Sequence, residues 1–304
     1  AGRTYTLTGP VQGLSWVVPD QITRDIDAAV GSAKRAAAAV VVVGDGQESE
    51  AADRVNLTLP SDQNELIDAV AAVNKHTVVV VDAGGPVVMP WLAKVSAVLD
   101  AWYPGQTDGK ALAAVLFGAV NPSGHLPVTF PTTTTKTPVS TSAQFPGTDG
   151  RVRYSEGVDV GYRWYDATGT TPLFPFGFGL SYTTFRYRDA RVQVRARNGK
   201  PVVTATVRVT NTGRRAGADV AQLYLGQPQA AENPPRQLEA FRRVSLAPGT
   251  SETIGFTLRT GQLQYYDPAS TTWRVASGDY RIWIGDSSAL AQLPVHTQFH
   301  LRGR

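Results

Sequence analysis

The hydrophobic pattern changes character once along the chain. From about residue 20 to 130, helical segments alternate with unbroken apolar runs. Gln21 to Ala37 has helical content and ends on small residues, and Ala38 to Val43 is a continuous run stopped by Gly44. Ser61 is placed to cap a helix with Asn64 and Glu65 in its first turn and Leu66, Ile67, Val70 and Val73 on one face. Thr77 to Val81 and Val95 to Ala101 read as further strands, and Gly109 to Val120 as a second apolar-faced helix. Valine runs between helices predict an open, mostly parallel sheet with both faces covered by helices.

Beyond about residue 185 the period falls to two. Val203, Ala205, Val207 and Val209 point one way, and Val202, Thr204, Thr206, Arg208 and Thr210 the other. Similar stretches recur at Ala221 to Leu225, Glu252 to Leu258, Trp273 to Val275 and Tyr280 to Ile284, separated by turn signals such as Pro248-Gly249 and Asp267-Pro268. About seven short strands in this spacing predict an antiparallel β-sandwich. Thr132 to Ser142 lacks core-forming residues and reads as a surface linker.

Composition narrows the function classes. The chain of 304 residues suits two domains, and 42% hydrophobic residues suffice for ordinary cores. Its net charge of +4 comes from scattered arginines without a basic block, so no nucleic-acid partner is expected. With no cysteine, disulfides and thiolate chemistry are excluded, and four histidines without a close pair leave no metal centre to expect. The longest apolar run is far short of the roughly 20 residues that span a bilayer, so no membrane partner is expected either. The opening AGRTYTLTGP has neither a start methionine nor a signal peptide and reads as cut from a longer protein.

Candidate chemistry lies in the loop Gly44 to Gln63, which follows the carboxyl end of a predicted parallel strand, the edge where open α/β sheets bind ligands. It holds Asp45, Glu48, Glu50 and Asp53, with Arg54 adjacent. Glycoside hydrolysis needs two carboxyl groups across the scissile bond, one of them held protonated. Solvated loop charges, with Asp53 and Arg54 as a local ion pair, are the other reading, and the pattern alone favours it.

The order of motifs shifts that balance. Glu50, Asp53, Arg54, Leu57, Leu59, Pro60 and Gln63 form one block, DAGGPVVMPW (82–91) a second and WYPGQTDGKALAAVLFGAVNPSGHLPVTFP (102–131) a third. YSEGVDVGYRWYD (154–166) and PLFPFGFGLSYTTF (172–185) follow. Together they resemble the C-terminal portion of glycoside hydrolase family 3, the β-glucosidase and β-xylosidase family. The resemblance implies an α/β sandwich domain at 21–135, missing its opening strands, and a linker and interdomain block at 136–184. A fibronectin type III-like β-sandwich would occupy 185–304, and residues 1–20 resemble the tail of a β-rich insert.

It further implies that Glu50 is the general acid/base of a retaining exo-β-glycosidase. Glu48 is the alternative, since the two share parity and geometry does not separate them. Asp53 and Arg54 would support the loop. The family's nucleophile is an aspartate on an N-terminal (β/α)8 barrel, which this chain lacks, so the barrel is expected in the same or another chain and this chain alone is expected to be inactive. No cofactor is implied, the substrate is a β-linked glycoside or oligosaccharide, and a secreted or extracytoplasmic bacterial protein is expected. A non-catalytic carbohydrate- or protein-interaction fragment, or one chain of a split enzyme, remains the alternative. Trp91 and Trp102 are expected in the core, Tyr154 to Tyr165 at an interface, and Phe174, Phe176, Phe178, Leu180, Tyr182 and Phe185 largely buried.

Overall fold

The computed structural model describes residues 19–45, 54, 56–228, 231 and 233–303. Chain contacts divide it into two units, the first built from residues 1–48, 59–83 and 89–102 and the second from the remainder.

In the first unit, α1 (Pro19–Arg35) leads into β1 (Ala39–Gly44), α2 (Gln63–Val73), β2 (Thr77–Asp82) and β3 (Ala97–Asp100). The three strands pair in the order β1-β2-β3, all parallel, with Val40 opposite Val78 and Val79 opposite Val98. Ile22, Ile26, Val30 and Ala33 give α1 its inward stripe. Asn74, just past α2, donates from Nδ2 to the Ala33 and Ala36 carbonyls at 2.9 and 3.0 Å, and its Oδ1 accepts from the His76 N–H at 2.9 Å. One buried amide thus satisfies the end of α1 and sets the entry to β2.

Two expectations need correction here. Covered faces hold for the central strand, where Val79, Val80 and Val81 are all buried, but in β1 only Val41 and Val43 are buried while Val40 and Val42 are 52% and 59% exposed. The helices explain this: α2 packs on β1 and β2, and α1 packs along α2, which covers one side of an edge strand. Ser61 does not cap α2. It sits at φ +54° and Asp62 takes the cap position, with no side-chain capping bond.

The first α-helix of the second unit among the described residues is α3 (Asp108–Leu116), four residues shorter at its C-terminal end than the pattern suggested, because Gly118 turns the chain at φ +74°. After α4 (Tyr162–Thr168) come nine strands: β4 (Phe185–Arg197), β5 (Lys200–Asn211), β6 (Gly217–Gly226), β7 (Gln237–Leu246), β8 (Ser251–Leu258), β9 (Gln264–Asp267), β10 (Thr272–Val275), β11 (Gly278–Gly285) and β12 (Val295–Leu301). They form an antiparallel sandwich of β12-β11-β6-β7 and β4-β5-β8, with β9 and β10 as a separate hairpin. Val203, Ala205, Val207 and Val209 face the shared core with Leu223, Leu225, Ile254, Ile282 and Ile284. Burying each such side chain contributes about 1.5–3 kcal/mol.

The aromatic block before β4 is only partly inside. Phe174 stacks on Phe178 at 5.1 Å and meets Phe130 edge-on at 6.2 Å. Phe174, Phe176, Phe178 and Phe185 are half-buried, but Leu180 is 74% and Tyr182 44% exposed, against the expectation that all six lie inside. Tyr182 works instead through its polar end, donating to the Val115 carbonyl at 2.8 Å under the Arg215 guanidinium.

Candidate active-site loop

The two feet of the loop between β1 and α2 are held together. Gly44 and Asp45 leave β1, and the Asp45 N–H reaches the Asp82 carbonyl at 3.1 Å. This leaves the Gly44 N–H and C=O pointing away from β2. Gln63, the first residue of α2, fills both: its Oε1 accepts from the Gly44 N–H at 2.8 Å and its Nε2 donates to the Gly44 C=O at 2.9 Å. Glycine is required at 44 because a Cβ there would sit 2.3 Å from the Asp82 carbonyl oxygen.

The loop's return limb is tied as well. Arg54 Nη1 donates to the Pro86 carbonyl at 3.1 Å, and the Val88 N–H to the Leu57 carbonyl at 2.8 Å. Asn56 Oδ1 accepts from the Thr58 N–H at 2.8 Å, closing a local turn, and Leu59 is buried. Glu48, Glu50 and Asp53 lie outside the described residues. Of the residues named from sequence, the structure therefore places Arg54, in a contact that holds the loop, and brings Asp45 and Gln63 to its feet.

Both tryptophans expected in the core are among the described residues. Trp91 is fully buried and its indole N–H donates to Asn64 Oδ1 at 2.7 Å, a packing role. Trp102 is half-buried with φ +54°, two residues past the end of β3.

Sequence reasoning passed over two carboxyl groups at the same sheet edge. Asp82 ends β2 and Asp100 ends β3, beside the exit of β1. Each has a buried oxygen with no hydrogen-bond partner among the described residues. Burial pushes the Asp100 carboxyl up to about 6, against the opposing pull of the Trp102 backbone N–H. A carboxyl held proton-bearing near pH 6 can donate hydrogen bonds that an ordinary aspartate cannot. The signal in the sequence was an aspartate closing each apolar run, Val81-Asp82 and Leu99-Asp100.

In the second unit, Leu57 and Pro86 border a cleft of about 350 Å³ whose other walls include Thr129, Pro138, Val160 and Tyr165. Its mostly apolar lining offers few of the convergent donors and acceptors that orient a sugar. Tyr162, from the aromatic stretch expected at an interface, packs tilted against Phe176 with ring centroids 5.1 Å apart, and its oxygen accepts from the Leu238 N–H of β7. Tyr165 is buried and donates to the Lys136 carbonyl at 2.6 Å, whereas Tyr154 is 80% exposed.

Comparison with known proteins agrees with this architecture. The family model described as the glycosyl hydrolase family 3 C-terminal domain matches residues 1–182, and the fibronectin type III-like domain matches residues 219–288. Thermostable beta-glucosidase B of Acetivibrio thermocellus is 45% identical over 266 residues, covering 85% of this chain and 35% of that protein. A beta-glucosidase of Rhizobium radiobacter is 44% identical over 265 residues, or 86% of this chain and 32% of that protein. Among solved structures, DesR, a beta-glucosidase from Streptomyces venezuelae in complex with D-glucose, superposes with a TM-score of 0.89 at 42% identity, covering 94% of this chain and 36% of that one. The chain thus spans about a third of the length of the curated relatives it matches. The first match covers the parallel sheet and the second lies within the antiparallel sandwich, and the chain belongs to glycosyl hydrolase family 3 as its C-terminal domain joined to a fibronectin type III-like domain.

Proposed function

We propose that this chain supplies the general acid/base loop of a retaining, exo-acting β-glycosidase of the β-glucosidase type. The observation that carries the reading is the loop 44–63. It is clamped at its feet by Gln63 and Gly44 and on its return by Arg54 and Pro86, it leaves the parallel sheet at the carboxyl end of β1, and its sequence carries Glu50. Its relatives support it, being beta-glucosidases, three of them solved with glucose. In this reading Glu50 protonates the departing glycosidic oxygen and later deprotonates the attacking water. Glu48 is the alternative acid, Asp53 and Arg54 hold the loop, and the nucleophile belongs to a (β/α)8 barrel in the same or another chain. The substrate is a terminal β-glycoside, and the whole protein works outside the cytoplasm.

The test is Glu50→Ala in the active enzyme that contains this segment. Substrates with poor leaving groups should slow by about 10²–10⁴-fold. Activated aryl glycosides should keep their first step and accumulate a glycosyl-enzyme that azide rescues. The same pattern in Glu48→Ala, with Glu50→Ala near wild type, moves the assignment two residues upstream. Its absence from both overturns the reading.

A further inference from the structure

His125 follows α3 in the stretch Ser123-Gly-His-Leu-Pro and is nearly buried, with 11% of its side chain exposed. Its Nε2 lies 3.2 Å from Asp219 Oδ1 on β6. On the other side of the ring, Nδ1 faces two backbone carbonyls, Gly177 at 2.5 Å and Asp286, just past β11, at 3.2 Å. A neutral imidazole presents one N–H and one lone pair. Here both nitrogens face oxygens that only accept.

The surrounding hydrogen bonds remove the remaining freedom. Tyr187 on β4 donates its O–H to Asp219 Oδ2 at 2.6 Å, and the Val220 N–H donates to Asp219 Oδ1 at 2.9 Å, so this carboxylate is already used as an acceptor on both oxygens. Tyr224 donates to Gln222 Oε1 at 2.6 Å, which turns the Gln222 amide nitrogen towards the same Asp286 and Gly177 carbonyls, at 2.6 and 3.4 Å. Every donor is committed, and a neutral ring would set one lone pair against another.

We propose that His125 is held as an imidazolium, a charged pin that joins the Gly177 turn to β6 and the β11 exit, and that rising pH withdraws it. The groups facing the pin are Asp219 from β6, Asp286 from the β11 turn and, through Asp219, Tyr187 from β4. Arg243 of β7 reaches Ser123, two residues before the histidine. Burial alone pushes His125 down, but the hydrogen bond and charge of Asp219, the Gly177 carbonyl and the charge of Asp286 outweigh it, and the net shift is upward from 6.5. Asp286 is pushed up to about 6 by burial and by the charge of Asp219. Both shifts have the same sign. The folded state binds these protons more tightly than the unfolded chain, so stability falls as pH rises. For Asp286 the loss falls between about 4 and 6, and for His125 it begins near 6.5 and completes above the raised value.

The other three histidines, His76, His296 and His300, are exposed, so replacing all three by glutamine leaves one ring to observe. Ring ¹⁵N NMR of that variant should show both His125 nitrogens protonated at pH 7. Thermal unfolding of the wild-type chain should shift to lower temperature between pH 6.5 and 9. His125→Arg, which keeps a cation at every pH, should flatten that slope. A ring already neutral at pH 6.5 overturns the proposal, and so does a wild-type melting temperature constant from pH 6.5 to 9. If His125→Arg fails to fold, the NMR state of the wild-type ring decides alone.

Discussion

The Gln63 side chain pairs with both backbone groups of Gly44, 2.8 Å to its N–H and 2.9 Å to its C=O, as a neighbouring strand would. The loop therefore begins and ends at one point, and its geometry depends on an amide that both donates and accepts. Gln63→Glu keeps the acceptor and sets a carboxylate oxygen against the Gly44 carbonyl, so it should cost more than Gln63→Ala. Removing both bonds should lower unfolding free energy by about 1–3 kcal/mol, at roughly 0.5–1.5 per bond. Urea denaturation of the purified chain measures this, and equal stability of wild type and Gln63→Ala would show that the clamp does not hold the fold.

Asp100 gives a pH-dependent test. Its carboxyl is raised from 3.8 to about 6 by burial. The folded form therefore holds this proton more tightly, and stability drains away as pH climbs from about 4 through 6. Asp100→Asn cannot ionise yet still accepts from the Trp102 N–H. It should be more stable than wild type at pH 7 by about 1 kcal/mol, after allowing for solvent screening of a group that is not fully enclosed. That advantage should vanish below pH 4. A constant difference across the range would mean that the asparagine acts by packing.

Arg236 and Asp166 form a buried bidentate pair, with the Arg236 guanidinium also over the Trp283 ring at 5.7 Å. Burial raises the Asp166 carboxyl even though Arg236 pulls it down, so desolvation outweighs the attraction. Asp166→Ala should lose about 3–5 kcal/mol by stranding a buried cation. The double replacement Asp166→Leu with Arg236→Met should recover most of that. A double variant as damaged as the single one would show that the charges are needed together.

The isolated chain should hydrolyse no aryl β-glucoside. The retaining pathway needs a second carboxyl about 5–5.5 Å from the acid, which the proposed function assigns to a barrel outside this chain's two domains. Turnover by the purified chain, free of any barrel polypeptide, would contradict the division of labour proposed for Glu50.

Strand type was legible where burial imposes a simple code. The valine runs at 38–43 and 77–81 announced a parallel pair, and the alternation from Val202 to Thr210 announced β5 with the correct face inward. The strands missed were those whose code is blurred. β4 is rich in arginine and carries a bulge at Arg188/Arg191 with Asp189 at φ +58°, β7 leaves Phe241 70% exposed, β9 spans only four residues, and β12 interrupts its alternation with two histidines and a glutamine. For the loop, local composition marked the acidic stretch but not its fastening. No pattern within a few residues reveals that Gln63 reaches back across the whole loop to Gly44, because that contact exists only once α2 packs on β1. His125 was missed for the same reason, since the residues that charge it lie 52, 94 and 161 positions away, at Gly177, Asp219 and Asp286.

β1 is the edge of its sheet among the described residues, and its outer valines, Val40 and Val42, are bare. Such a ribbon is adhesive. It offers β-branched side chains to a second strand, and among the described residues its outer peptide groups are met at the last rung alone, by an amide borrowed from a helix. Handled as a separate polypeptide, this segment should therefore self-associate through Ala39 to Val43 before it denatures, with thioflavin-binding aggregates nucleating there. A lysine at position 42 would work as a gatekeeper, leaving the buried side of the strand untouched while making the ribbon repel its own copies.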